Sequence, residues 1–294
     1  MPSVSTFISE EAVIKSCMQI IMVSPMVQAF GVVTVVTVAM IYSVYLGFFD
    51  SVHTEVGRQF YAEHYSKKWN KAFPPWLNMP YNTFVNIGYV IVGAFYCAKT
   101  SVSLHRKHLK LSDSFLFYAF NIMSTLYGAI QAVRILTQFH HAAVMDQWYT
   151  LPFFMFVFIW SRHLDSGIGL KGVAFWITAS ILSYLFTLIH IYGFEIALAL
   201  HVLIAVYGGI TIYRKFPIKE AQGPFVWALI CCVGFVVLKL LDLELPKMNQ
   251  VFEKLSGHFL SKIADIFQIY FVNRYFEILS VYKNTCSMKN KKFK

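Results

Sequence analysis

Apolar residues gather in eight long runs along the chain, separated by shorter polar or basic connections. The runs cover residues 26–49, 79–98, 114–136, 143–161, 171–190, 193–213, 224–241 and 255–277, give or take a few residues at each end. An α-helix needs about 20 mostly apolar residues to cross the hydrocarbon core of a bilayer, and each run comes close to that. The apolar positions are continuous, whereas a membrane β-barrel would show alternating segments of about ten residues. The pattern predicts an all-α integral membrane protein with about eight transmembrane helices. The first run is too long and too far from the start for a cleaved signal peptide. The fourth is the weakest, with Asp146 near its start and Pro152 inside it. The fifth and sixth are joined only by His190–Tyr192, so they must be antiparallel neighbours.

Composition reinforces the pattern. The chain of 294 residues is 57% hydrophobic and 14% charged, against about 25% charged for soluble domains, and its mean hydropathy is +0.55. The formal charge of +10 does not signal nucleic acid, because the basic residues sit in connections between apolar runs and form no binding stripe. One set of connections carries Lys99, Arg106, Lys107, Lys110, Arg162, Lys171, Arg214, Lys215 and Lys219, and the C-terminal tail adds more lysines. The other set carries only Arg58, Lys67, Lys68, Lys71, Lys247 and Lys254. The positive-inside rule then puts both termini in the cytoplasm, with Asp146 and His258 toward the opposite face. The organisation expected is a cytoplasmic tail over 1–25, one transmembrane domain over 26–277 and a basic cytoplasmic tail over 278–294. The last residues, Lys291-Lys292-Phe293-Lys294, resemble a dilysine retrieval signal, which favours an endoplasmic reticulum or Golgi membrane over the plasma membrane. The five cysteines form no disulfide framework: Cys97, Cys231 and Cys232 lie in apolar runs, and Cys17 and Cys286 lie in the tails.

Charges at bilayer depth are costly and usually face the bundle interior. Arg134, Asp146, Glu195, Lys239, Asp242, Lys262 and Asp265 qualify, together with His201 and His258. Glu195 reads as a helix N-terminal charge, and Lys239 and Asp242 as snorkelling groups near a helix end. Asn82, Asn86, Asn121, Gln131 and Gln268 read as hydrogen-bonding partners across helices. His140 and His141 read as solvated loop residues. In LSGHFLSKIADIF, His258, Lys262 and Asp265 share one helix face, and both charges lie too deep to reach water easily.

Several stretches together, FFDSVHTEVG, MPYNTFVNIGYVIVG, AAVMDQWYTLPFF, GFEIALALHV, GFVVLKLLDLEL and LSGHFLSKIADIF, resemble the transmembrane protein 187 family over nearly the whole chain. The last seven runs more distantly resemble the alkaline ceramidases and adiponectin-type receptors, seven-helix membrane hydrolases with an intramembrane zinc. That likeness implies one extra N-terminal helix ahead of a seven-helix bundle. Its motifs map onto Asn82-Thr83-Phe84-Val85-Asn86, Asp146 and His258. The match departs at Val85, at the spacing from Asp146 to Pro152, at the second helix, whose stretch from Asn121 to Leu136 contains no His, and at Lys262, which stands where a second His belongs.

A catalytic zinc needs three protein ligands and an open position. Asp146 and His258 would supply two, a third would have to come from His140 or His141, and an ammonium at Lys262 would repel the ion. No zinc or other cofactor is expected. The reading adopted is a buried polar network of Arg134, Asp146, His258, Lys262 and Asp265 in place of a metal, with Lys262 and Arg134 pairing Asp146 and Asp265. It favours a non-catalytic protein in contact with the lipid bilayer and with a lipid ligand. One alternative is a lumenal lipid amide or ester hydrolase with Asp146 and His258 as its catalytic residues. The other is an ion or lipid transporter in which His258, Lys262 and Asp265 relay protons.

Overall fold

The computed structural model describes residues 24–65, 73–74, 76–77 and 79–292. The expected N-terminal tail lies outside the described residues as far as residue 23, as do Lys67, Lys68, Lys71 and the final two residues. Every regular element among the described residues is helical. Eight long helices organise the chain: α1 (Pro25–Tyr45), α2 (Pro80–His105), α3 (Leu111–Thr137), α4 (His140–Ser166), α5 (Leu170–Ile189), α6 (Gly193–Lys215), α7 (Lys219–Leu240) and α8 (Gly257–Lys292). Short one-turn helices occur between α1 and α2 and between α7 and α8.

The first seven are long and apolar enough to cross a membrane, and the chain is a multi-pass membrane protein. The eighth expected span is α8, whose charges set it apart in composition. At about 1.5 Å per residue, its 36 residues exceed a hydrocarbon core of about 30 Å. The helix therefore runs on through the stretch expected to be a basic tail. The first span is shorter than expected, ending at Tyr45 rather than near residue 49.

α3 and α4 form the centre. They carry the largest share of buried residues, whereas α5 and α7 turn most of their surface outward. The fourth run, weakest in the sequence, is thus the most enclosed helix, and Pro152 sits inside it without breaking it. Close packing on all sides offsets the hydrogen bond that a mid-helix proline removes. α2 lies against α3 because Gly93 and Gly128 leave no side chain between them. A Cβ at Gly93 would sit 2.5 Å from the Asn121 carbonyl oxygen, and one at Gly128 would sit 2.8 Å from that of Asn86. Small residues allow this backbone approach where water exclusion cannot drive helices together. α8 packs chiefly on α7 and also touches α2, α3 and α4.

Helix directions alternate, so α3 ends and α4 starts at one end of the bundle, where α7 also ends and α8 starts. The segment between α1 and α2 covers that end. It is fastened by Gly57 N–H donating to Gln138 Oε1 at 3.0 Å, by Thr54 Oγ1 2.8 Å from His140 Nδ1, and by Asp50 Oδ1 3.0 Å from His141 Nε2. The two histidines expected in a loop therefore form the first turn of α4 and hold this cover in place. His140 Nε2 also lies 3.1 Å from the Phe49 carbonyl, so its ring is turned toward the cover.

Candidate polar centre

Beneath that cover, five helices bring polar side chains into one buried place. α3 contributes Gln131 and Arg134 from its last two turns, α4 contributes Asp146, α2 contributes Asn86 and Tyr89, and α8 contributes His258, Lys262 and Asp265. α7 adds the half-buried Lys239 from its last turn. Helical spacing explains the convergence. His258, Lys262 and Asp265 stack along one face of α8, and Gln131 and Arg134 do so on α3.

Arg134 makes a buried ion pair through Nη1 with Asp146 Oδ2, and its Nη2 reaches the Glu55 carbonyl at 3.4 Å. Lys262 is 2% exposed. Its ammonium donates to the side-chain oxygen of Asn86 at 2.9 Å and to that of Gln131. The expected pairing of Lys262 with a carboxylate is thereby corrected. The partners are neutral amides, because Arg134 already holds Asp146 and Tyr89 donates its hydroxyl to Asp265 Oδ2 at 2.7 Å. The network is one ion pair beside an ammonium in an amide cradle, with Asp265 served by a phenol.

His258 is placed by its backbone. Its N–H donates to Asp242 Oδ1 at 2.7 Å, and its ring meets Tyr61 edge-on with centroids 4.9 Å apart. Asp242, expected to snorkel, is buried and also accepts from Ala62 N–H at 3.1 Å, which ties the cover to the start of α8. Burial pushes the Asp242 carboxyl above its ordinary range, against those two hydrogen bonds. A second buried carboxylate that the sequence reading missed, Glu63, sits in the cover. It accepts from Tyr81 N–H at 2.8 Å, Asn82 N–H at 2.9 Å and Asn82 Nδ2 at 2.7 Å. It thus satisfies the free N–H groups at the start of α2, where a negative charge also suits the helix dipole. Burial raises its pKa to about 7. Pro80 at the helix start was the one available sequence signal that a cap was needed there.

A cavity of about 20 Å³ lies between α3, α4, α6, α7 and α8, with Gln131, Asp146, Lys239, His258 and Lys262 in its wall. That is room for one water-sized occupant. Three buried polar atoms of this centre have no protein partner among the described residues: Arg134 Nε, Asp146 Oδ1 and His258 Nε2. The remaining sequence candidates lie elsewhere. His201 is buried between Ser180 Oγ at 2.8 Å and the Ala197 carbonyl at 2.7 Å. Glu195 stands exposed in the first turn of α6. Asn121 pairs with Asn273 in mid-bundle, and Gln268 is further along α8.

The residues do not fit a zinc ion. Arg134 occupies one oxygen of Asp146, Lys262 lies one turn from His258, and His140 and His141 face the cover. No group of three or more His, Cys, Asp or Glu side chains converges among the described residues.

Comparison with known proteins gives a consistent family. The TMEM187 protein family model matches residues 29–277. Transmembrane protein 187 of Homo sapiens is 36% identical over 251 residues, which cover 83% of this chain and 89% of the human protein. Transmembrane protein 187 of Bos taurus is 33% identical over 235 residues, 78% of this chain and 88% of the bovine protein. No solved structure matches the chain.

Proposed function

The chain belongs to the TMEM187 protein family, and from that premise we propose that it is a non-catalytic relative of the ceramidase-like membrane hydrolases, with an amine-filled polar centre where those carry a metal. The observation that supports this most is the Lys262 ammonium, cradled by Asn86 and Gln131 within one turn of His258. In its support, Asp146, His258 and Lys262 line one small cavity and Lys262 donates to Asn86, so in this reading an ammonium stands beside two of the motif-like residues and would repel a dication. Both termini face the cytoplasm of an endomembrane in this reading, so the polar centre lies on the lumenal side.

The ligand in this reading is a lipid acyl chain. A groove of about 250 Å³ between α1, α3, α4 and α5 is lined by apolar side chains such as Val36, Met40, Phe156 and Ile177, with Thr37 and Tyr149 as its polar spots. A second reading, a lumenal lipid amide or ester hydrolase, has one observation in its favour. Asp146 Oδ1 and His258 Nε2 are both unpartnered and could orient a water.

Elemental analysis and lipid amidase and esterase assays on detergent-purified protein separate the two. The expected result is zinc far below one ion per chain, no turnover, and no change in melting temperature with a chelator. Stoichiometric zinc with chelator-sensitive hydrolysis overturns the proposal.

A further inference from the structure

The two ends of the bundle differ in exposed charge. At the end opposite the cover, most acids among the described residues already have partners. Asp113 meets His163 Nε2 at 2.9 Å, Asp165 meets Lys215 at 2.6 Å and Arg162 at 3.0 Å, and Glu277 meets Lys99 at 2.6 Å and Arg274 at 2.9 Å. Lys283 donates to the Leu164 carbonyl at 2.6 Å, and Glu220 stands exposed in the first turn of α7. Against these, Arg106, Lys107, Lys110, Lys171, Arg214 and Lys219 are all exposed and form no ion pair with any described residue. The rest of the sequence does not reverse the excess, since it holds Glu10, Glu11 and Lys15 before α1 and Lys289, Lys291, Lys292 and Lys294 near the C-terminus. At the covered end the exposed charges are mixed: Lys247 pairs with Glu244 at 2.7 Å, and Asp50, Glu55 and Glu195 are exposed along with Arg58.

Arg106, Lys107 and Lys110 share the connection between α2 and α3, and its backbone is tied down. Lys107 takes a φ of 59°, in the left-handed region that few residues other than glycine adopt. The His108 and Leu109 N–H groups both donate to the Ser103 carbonyl, at 2.9 and 3.3 Å, and Leu109 is buried. The His108 carbonyl accepts from Asn284 Nδ2 of α8 at 3.2 Å. The charged side chains therefore project from a fixed turn, and a site shaped before binding loses less entropy when it binds. Apolar side chains stand next to these cations. Leu111, beside Lys110, is 58% exposed, and Leu170, beside Lys171, is 79% exposed. In a membrane protein such residues face acyl chains, which sets the neighbouring cations at headgroup depth.

We infer that this end of the bundle binds anionic phospholipid headgroups, with Arg106, Lys107 and Lys110 as the principal contacts. A lipid fits both parts of the surface. Its phosphate offsets cations that have no acid of their own, and its chains lie along the exposed apolar residues beside them. A soluble phosphate meets only the first part. Basic residues at a membrane surface attract anionic lipid over a short range, and salt weakens the attraction. The inference is independent of what the polar centre does.

The test titrates the full-length protein in detergent with dioctanoyl phosphatidylserine, dioctanoyl phosphatidylinositol bisphosphate, dioctanoyl phosphatidylcholine and the chain-free inositol trisphosphate. Melting temperature and apparent affinity are read for each. The expected result is a saturable rise in melting temperature with both anionic lipids, as mass-action linkage requires, which shrinks as sodium chloride is raised. Phosphatidylcholine should have little effect, and inositol trisphosphate should bind on the order of tenfold more weakly than the bisphosphate lipid. Each cation should contribute about fivefold to affinity. Arg106→Gln, Lys107→Gly and Lys110→Gln together should therefore weaken anionic-lipid binding by on the order of a hundredfold. Glycine at 107 keeps the left-handed turn, and Arg58→Gln with Lys247→Gln at the other end should leave binding unchanged. The comparison of lipids on the wild-type protein stands even if the triple variant fails to fold. An equal response to phosphatidylcholine and the anionic lipids overturns the inference. So does wild-type affinity in the triple variant, and so does inositol trisphosphate binding as tightly as the lipid, which would make the ligand a soluble phosphate.

Discussion

Two polar places inside the bundle are built on opposite principles. Midway along α3 and α8, Asn121 and Asn273 donate to each other's side-chain oxygens at 2.7 and 3.0 Å, and each also donates to a carbonyl of its own helix. Rings surround that region, with Trp160 stacked on Phe276 at 4.4 Å and edge-on to Phe117 at 4.4 Å. The amide pair is closed, with donors and acceptors matched within itself, and it fixes the register of α8 against α3. At the covered end, charges replace amides and the matching is incomplete: Arg134 Nε, Asp146 Oδ1 and His258 Nε2 remain open beside a cavity. The Trp160 indole N–H is also open, but it is hemmed in by rings. Buried polar groups that satisfy one another specify packing. Buried polar groups that do not, next to a space, specify an occupant.

The largest effect that can break this contrast comes from the ion pair. Asp146→Asn should destabilise the protein by about 3–5 kcal/mol, because it strands the Arg134 guanidinium. Arg134→Met combined with Asp146→Asn should cost clearly less than Asp146→Asn alone. Thermal unfolding in detergent reads both, and equal losses would show that the pair carries no coupling.

A second effect belongs to the cover. Burial holds the Glu63 carboxyl up at about 7, against 4.5 for the free group. Between those values the folded protein keeps a proton that the unfolded chain has lost. Stability from this group is therefore complete below about pH 4.5 and declines as pH rises to about 7, by at most about 1.4 kcal/mol per pH unit. Glu63→Gln should flatten the pH profile of the melting temperature across that window, and an unchanged slope would remove Glu63 from the account.

The smallest effect comes from the closed pair. Asn121→Leu should cost about 1 kcal/mol by leaving Asn273 unsatisfied inside the bundle. Asn121→Leu with Asn273→Leu should recover part of that loss. The same unfolding measurement decides, and a double variant weaker than the single would mean that the amides do more than match each other.

Much of the fold was legible along the chain. Eight apolar runs correspond to eight helices, because the need to satisfy backbone polar groups in lipid leaves few alternatives for such runs. The stretch LSGHFLSKIADIF shows its polar face through helical spacing alone. Partners were harder to read. Lys262 was matched to a carboxylate because charge invites that choice, whereas its neighbours across the interface are Asn86 and Gln131. Glu63 passed unnoticed because it lies in a connection and is buried only when the cover folds back over α2. Pro152 looked like an interruption because its cost is local, while the packing that offsets it comes from five neighbouring helices.

The sequence by itself determined the solvent, the helix count and which helix faces carry charge, since all three follow from local hydropathy and the 3.6-residue period. Tertiary structure alone decided which charge meets which partner and which valences stay open. Those depend on the angles and offsets at which α2, α3, α4, α7 and α8 pack, and close approach at Gly93 and Gly128 sets the first of them.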